Sequence, residues 1–166
     1  MHPIFRNTEE KLATEGFHFI RKDFNRPWGG FFAIEETQAP QFAQLYFPGI
    51  SIEGLERGQM LSPKILLVAP WKRLSWQYHF RRSELWRVVQ GEVGVVISDT
   101  DEETAMKVYK VGDVITLAVG ERHRLVGLDD WGMVAEIWMH EDPEHPSDED
   151  DLVRLQDDFD RRTPET

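Results

Sequence analysis

Short stretches rich in β-branched and aromatic residues recur along this chain, and turn residues separate them at close intervals. They run Phe31–Ile34, Gln41–Phe47, Lys64–Ala69, Leu74–Phe80, Glu84–Val89, Val93–Ser98, Lys107–Val111, Val114–Leu117, His123–Gly127 and Val134–Met139. Between them stand Pro48-Gly49, Gly54, Gly58, Pro70, Gly91, Gly112-Asp113, Gly120 and Asp129-Asp130. A strand this short buries little alone. Its backbone groups need partners, and its apolar face needs a second sheet. Many such strands with regular turn signals predict an all-β sandwich or barrel.

The flanks read differently. Residues 1–25 are expected to form an N-terminal arm, with helical character from Glu9 to Phe19 that Gly16 breaks. Arg26-Pro27-Trp28-Gly29-Gly30 predicts a rigid turn, because proline fixes φ and glycine admits unusual backbone angles. The barrel is expected over residues 26–141. Within it, residues 48–62 are the longest weakly structured connection, and loops of that kind are often functional. In residues 142–166, Pro143 and Pro146 end the strand pattern. Ser147 then precedes a cluster of acids, and Leu152, Leu155 and Phe159 recur at helical spacing. That combination predicts a short C-terminal helix and acidic tail laid against the barrel.

A chain of 166 residues with 40% hydrophobic content suits one domain with a substantial core. No apolar run approaches the roughly 18–20 residues of a membrane helix. The first residues lack the basic-then-apolar pattern of a secretory signal, so a cytoplasmic protein is expected. Cysteine is absent, which excludes disulfides, zinc–thiolate sites and thiol nucleophiles. A net charge of -11 argues against nucleic acid as a partner. The charge is uneven, however. Residues 57–90 hold seven cations against one acid, Glu84, whereas residues 141–166 hold eleven acids and three arginines. Most of those cations are expected on solvated strand faces, but the basic segment suits a small anion.

One segment concentrates metal-ligand chemistry. Gln77 and His79 are two apart, so on a strand they leave the same face. A short turn follows, and Glu84 opens the next strand. An antiparallel pair of this kind brings all three side chains to one point. Imidazole nitrogen with amide and carboxylate oxygens suits a borderline or hard divalent ion. In a second segment, a strand between Gly112 and Gly120 ends in a glycine turn, and His123 begins the next.

These spacings resemble the two signature motifs of the cupin superfamily. Gln77, His79, Glu84 and Gly91 stand at the positions of the first, and Gly112, Gly120 and His123 at those of the second. The resemblance implies a cupin barrel holding one divalent metal ion with Gln77, His79, Glu84 and His123. Zinc is the first expectation, with manganese, nickel and iron as alternatives. A lone histidine in a β-rich chain is usually structural, but four candidate ligands on two spaced motifs outweigh that reading. Ala118 stands where the second motif usually has proline, and Gly127 where it often has asparagine.

Gln in the first ligand position narrows the likeness to phosphomannose isomerases. Arg26-Pro27-Trp28-Gly29, Leu74-Ser75-Trp76-Gln77-Tyr78-His79 and Arg82, Glu84, Trp86, Val88, Val89 and Gly91 resemble motifs of the type II phosphomannose isomerase domain. So do Glu149–Arg154 and Asp158–Arg161 near the chain's end. The likeness covers about residues 26–36 and 63–161, and residues 37–62 look like an insertion. Arg81 and Leu85 depart from histidines common in that family, which leaves the exact sugar open.

The resemblance implies a metal-dependent aldose–ketose isomerase acting on a phosphorylated sugar through an enediolate. Mannose 6-phosphate or a related hexose or heptose phosphate would be the substrate, and a homodimer the assembly. Lys64 and Glu136 are candidate proton carriers, each an ionisable group inside an otherwise apolar strand. Either could instead face solvent. Arg154 and Arg82 match family arginines and are candidates for the phosphate, with Arg154 also placed among the catalytic residues. Each could instead form a structural ion pair with the acidic tail, a role that competes most strongly for Arg82. Trp28, Trp76 and Trp86 could wall a sugar face or pack the core. Two other functions compete: an iron-dependent oxygenase, against which Gln77 counts, and a non-catalytic sugar-binding cupin, which Arg81 and Leu85 favour.

Overall fold

The computed structural model describes residues 1–164. In chain order its strands are β1 (Phe19–Arg26), β2 (Gly29–Ile34), β3 (Lys64–Val68), β4 (Trp76–Tyr78), β5 (Arg82–Gln90), β6 (Glu92–Ser98), β7 (Lys107–Lys110), β8 (Val114–Leu117), β9 (Arg122–Gly127), β10 (Gly132–His140) and β11 (Val153–Gln156). Three α-helices accompany them: α1 (Pro3–Thr14), α2 (Ala39–Tyr46) and α3 (Glu53–Glu56). One sheet runs β1-β2-β3-β10-β5-β8, the other β11-β4-β9-β6-β7. Paired strands are antiparallel in both. The chain is all-β in architecture, a cupin jelly-roll barrel with helices on one face.

Strand alternation explains the division into two cores. In β2, Phe31 and Ala33 point between the sheets while Phe32 and Ile34 point outward. The inner core joins Leu66, Val68, Trp86 and Val134 of the larger sheet, with Trp28 from the turn after β1, to Val93, Val95 and Leu125 of the smaller. The outer core packs Phe32, Ile65, Leu67, Ala135 and Ile137 under Phe5 and Leu12 of α1 and Phe42 and Ala43 of α2. Strands β2 and β3 are therefore buried on both faces and read as continuous apolar runs. A turn at Pro27-Trp28 joins β1 to β2, with Arg26 opposite Gly29. A β-carbon on Gly29 would lie 2.0 Å from the Leu67 carbonyl oxygen, so only glycine fits there.

Three expectations change. The stretch Gln41–Phe47, expected as a strand, belongs to α2, where Phe42, Ala43 and Tyr46 bury one helical face. A short apolar run fits either period, and Pro40 near the start of α2 favours the helix. The arm is not merely an arm. Its helix runs Pro3–Thr14 rather than Glu9–Phe19, and residues from Phe19 onward form β1, a polar edge strand. The C-terminal helix is absent from the described residues. In its place β11 pairs with β4, matching Arg154 to Gln77 and Val153 to Tyr78. Ser147 caps nothing; it donates to Asp151 and accepts from Arg82. Residues 37–62, read as an insertion, hold α2 and α3, and Ile52 and Leu61 join the outer core.

Candidate metal centre

Strand pairing assembles the ligand set. Gln77 of β4 stands opposite His123 of β9. His79 follows β4, two residues beyond Gln77. Glu84 of β5 enters from the other sheet. His79, Glu84 and His123 are all buried, and their donor atoms lie within 4.8 Å of one another. His79 Nε2 is 3.1 Å from Glu84 Oε1, and His123 Nε2 is 3.8 Å from Glu84 Oε2. Donors about 2.1 Å from a shared ion stand roughly 3.0–3.4 Å apart, so this spacing fits one ion after small adjustment.

The ring orientations fit as well. His79 Nδ1 lies 2.7 Å from the Asp151 carbonyl oxygen, and His123 Nδ1 lies 3.0 Å from that of Glu121. A carbonyl only accepts, so each Nδ1 carries the hydrogen and each Nε2 presents a lone pair to the cluster. Among the described residues His123 Nε2 is buried without a hydrogen-bond partner, an orphaned acceptor of the kind an ion satisfies. Burial pushes the His123 imidazole down to about 4, which keeps it neutral. Burial alone would raise the Glu84 carboxyl, but Arg82 and His79 hold it well below its usual range. Gln77 accepts from Ser75 Oγ at 2.5 Å and lines the same cavity.

That cavity has a volume of about 320 Å³ and opens beside the ligand cluster. Three neighbouring strands set its wall. Lys64 of β3 faces Glu136 of β10, which faces Trp86 of β5, and Trp138 faces Glu84 one step along. Glu136 accepts from the indole nitrogens of Trp86 and Trp138, each at 2.9 Å. Trp86 Nε1 also reaches Glu84 at 3.0 Å, linking the carboxyl to the ligand set. Burial, reinforced by the Glu84 charge, pushes the Glu136 carboxyl up to about 8. Lys64 is buried, stands 4.1 Å over the Trp138 ring and pairs with Glu149. Neither Lys64 nor Glu136 faces open solvent.

Two expectations about the arginines separate. Arg82 lines the cavity, and four of its five N–H groups have partners: Nε donates to Glu84 at 2.9 Å, Nη1 to Ser147 and the Asp148 carbonyl, and Nη2 to His79 at 3.3 Å. The ion pair is with Glu84, inside the site. Arg154 also lines the cavity, from β11 rather than a helix. Trp28 and Trp86 line it too, whereas Trp76 donates to the Asp101 carbonyl instead. The departures at Arg81 and Leu85 fall outside the lining. Leu85 points into the outer core, and Arg81 is half-exposed beside Asp148.

Spacing missed three participants. Trp138 is two residues from Glu136, so strand periodicity alone puts both on one face. Asp151 accepts from the backbone of Phe80 and Arg81 and holds His79 through its carbonyl. Glu149 pairs with Lys64 and with Arg21. The latter two lie in the segment expected as helix, where acids signal only a helix start.

A family model described as mannose-6-phosphate isomerase C-terminal matches residues 36–157. No curated protein sequence matches this one. Among solved structures, oxalate decarboxylase of Lactobacillus farciminis is 15% identical over 81% of this chain and 33% of its own, with a TM-score of 0.53. Vicilin from Solanum lycopersicum is 20% identical over 81% of this chain and 33% of its own, with a TM-score of 0.52. A cupin 2 conserved barrel domain protein from Salinispora arenicola is 24% identical over 47% of this chain and 61% of its own, at TM-score 0.41. The matched portion spans about a third of the first two and about three fifths of the third. At these identities the likeness establishes the fold alone.

Proposed function

Since this chain belongs to the mannose-6-phosphate isomerase C-terminal family of cupins, we propose that it is a metal-dependent isomerase interconverting an aldose phosphate and its ketose. One observation carries the reading: a buried carboxyl, Glu136, shares a cavity with His79 and Glu84 of the convergent His79–Glu84–His123 cluster, and Trp86 bridges Glu136 to Glu84. Isomerisation needs both parts, a stabiliser for charge on the sugar oxygens and a carrier for the proton exchanged between C1 and C2.

His79, Glu84, His123 and Gln77 hold the ion, with zinc first and manganese, nickel or iron as alternatives. A bound divalent ion supplies Lewis-acid stabilisation of the developing negative charge. The Asp151 and Glu121 carbonyls fix the two rings so that both Nε2 atoms stay aimed inward. From aldose to ketose, Glu136 takes the proton from C2 and returns it to C1, while the hydroxyl hydrogen of O2 passes to O1 as the carbonyl moves from C1 to C2. Burial raises the Glu136 ionisation above the ordinary carboxylate range, which brings its protonated form toward neutral pH. The Trp86 and Trp138 indoles hold its oxygens in place, and Lys64 opposite keeps a cation beside it. Trp28, Leu66 and Trp86 wall the cavity and limit water.

The test is hydrogen exchange at C2. Metal-loaded protein with mannose 6-phosphate, glucose 6-phosphate or a heptose phosphate in deuterated water is expected to place deuterium at C2 of one of them, read by NMR. Glu136→Gln is expected to slow exchange at least a hundredfold while keeping its metal. Binding of a sugar phosphate with no exchange would instead mark a non-catalytic cupin.

A further inference from the structure

We propose that the short helix α3 and the end of β10 enclose a second binding site, which takes an uncharged sugar through its hydroxyl groups. The site lies outside the metal cavity and does not depend on the isomerase reading.

Ile52 and Leu61 tie the connection 48–62 to the outer core. Its polar residues Glu53, Arg57 and Gln59 instead line a cavity of about 400 Å³. The opposite wall comes from Ser83 of β5 and from His140 and Glu141 at the end of β10. Among the described residues this cavity and the metal cavity share no lining side chain. Its size is that of a small-molecule site.

His140 brings an unmet hydrogen to it. The Ser147 amide donates to His140 Nδ1 at 2.9 Å, so the hydrogen of the neutral ring sits on Nε2. Among the described residues that Nε2 is buried without a hydrogen-bond partner. Burial and the nearby Arg82 charge pull the His140 ionisation below the usual histidine value, which favours the neutral ring. A buried donor without an acceptor is costly. His140 is half-buried and lines the cavity, so a small tilt of its ring presents Nε2–H to an oxygen seated there.

The rest of the lining decides what that oxygen belongs to. Arg57 donates, Glu53 and Glu141 accept, and Gln59 and Ser83 do both. Arg57 already pairs with Glu53 at 2.6 Å. Two carboxylates against one paired guanidinium repel a phosphate or a carboxylate. A cation would find acceptors but leave the His140 hydrogen unmet. A hydroxyl meets both needs, since it accepts from His140 and donates to a carboxylate. Val119, Met139 and Pro143 supply apolar contact for the C–H faces of a sugar ring.

Titration of free mannose, glucose and fructose against metal-loaded protein, followed by amide NMR, tests the site. We expect at least one of the three to bind, with the largest shifts at residues 53–59 and 139–141. His140→Phe should weaken that binding at least tenfold, Glu141→Gln and Arg57→Gln at least threefold, and Arg6→Gln on α1 not at all. Glu141 and Arg57 are exposed, so their variants keep the test valid should His140→Phe disturb the segment at Ser147. Glu136→Gln, which alters the metal cavity, should leave the affinity unchanged. No binding of any of the three sugars, or equal affinity in wild type, Glu141→Gln and Arg57→Gln, would overturn the site. So would binding that is lost in Glu136→Gln and kept in Glu141→Gln, because the sugar would then lie in the metal cavity. Inorganic phosphate should cause no shifts at residues 53–59 and 139–141, and shifts there would contradict an uncharged ligand.

Discussion

His123 and Glu136 share a buried interior, and burial drives their ionisation in opposite directions. His123 falls to about 4 and Glu136 rises to about 8. The unfolded chain protonates His123 near 6.5, so metal-free protein loses stability as pH falls from 6.5 toward 4. Glu136 works the other way. The unfolded carboxyl ionises near 4.5, so the stability it contributes is full at low pH and is lost as pH rises to 8. Between pH 4.5 and 6.5 the two slopes oppose each other. From pH 6.5 to 8 Glu136 acts alone, and its share is about 2 kcal/mol. Urea denaturation of metal-free protein should show that decline in wild type and little of it in Glu136→Gln. A matching decline in the variant would remove Glu136 as its source.

Among the elements, the segment from Ser147 to β11 governs the site most closely. Asp151 binds the backbone of the turn between β4 and β5, accepts from Ser147 and orients His79 through its carbonyl. The surrounding donors hold its carboxyl below the usual range despite burial. Asp151→Ala leaves the Phe80 and Arg81 amides without their acceptor and lets the segment drift. It is expected to cost about 2–4 kcal/mol of stability. Metal affinity should drop about tenfold with it, because the ring of His79 loses its anchor. Chemical denaturation and metal titration check the two separately, and wild-type metal affinity in the variant would show that the segment does not set the ligand.

Across the whole molecule, the sequence was most legible where local pattern and tertiary structure agree. Strands buried on one or both faces carry strong apolar signals, and β2, β3, β6 and β10 lie where spacing expects them. The convergence of His79, Glu84 and His123 followed from the same kind of spacing. Edge strands were not legible. β1 is mostly polar and β11 is short, and what makes each a strand is a neighbour's unpaired backbone. The same limit hid the work of Arg82. Spacing marks it as a cation near a carboxylate, but only the fold shows its donors shared among Glu84, His79 and the tail. Leu85 makes the converse point, since a departure beside Glu84 in sequence faces the opposite side of the sheet in space.

The account depends on two distant motifs meeting to hold an ion. Metal content per chain, measured by mass spectrometry on wild type, His79→Ala and His123→Ala purified alike, tests it most directly. We expect one divalent ion per chain in wild type and nearly none in either variant, with both variants still folded by circular dichroism. Full metal occupancy in both variants, or a wild type that takes up none from an excess of zinc, manganese, nickel and iron, would contradict it.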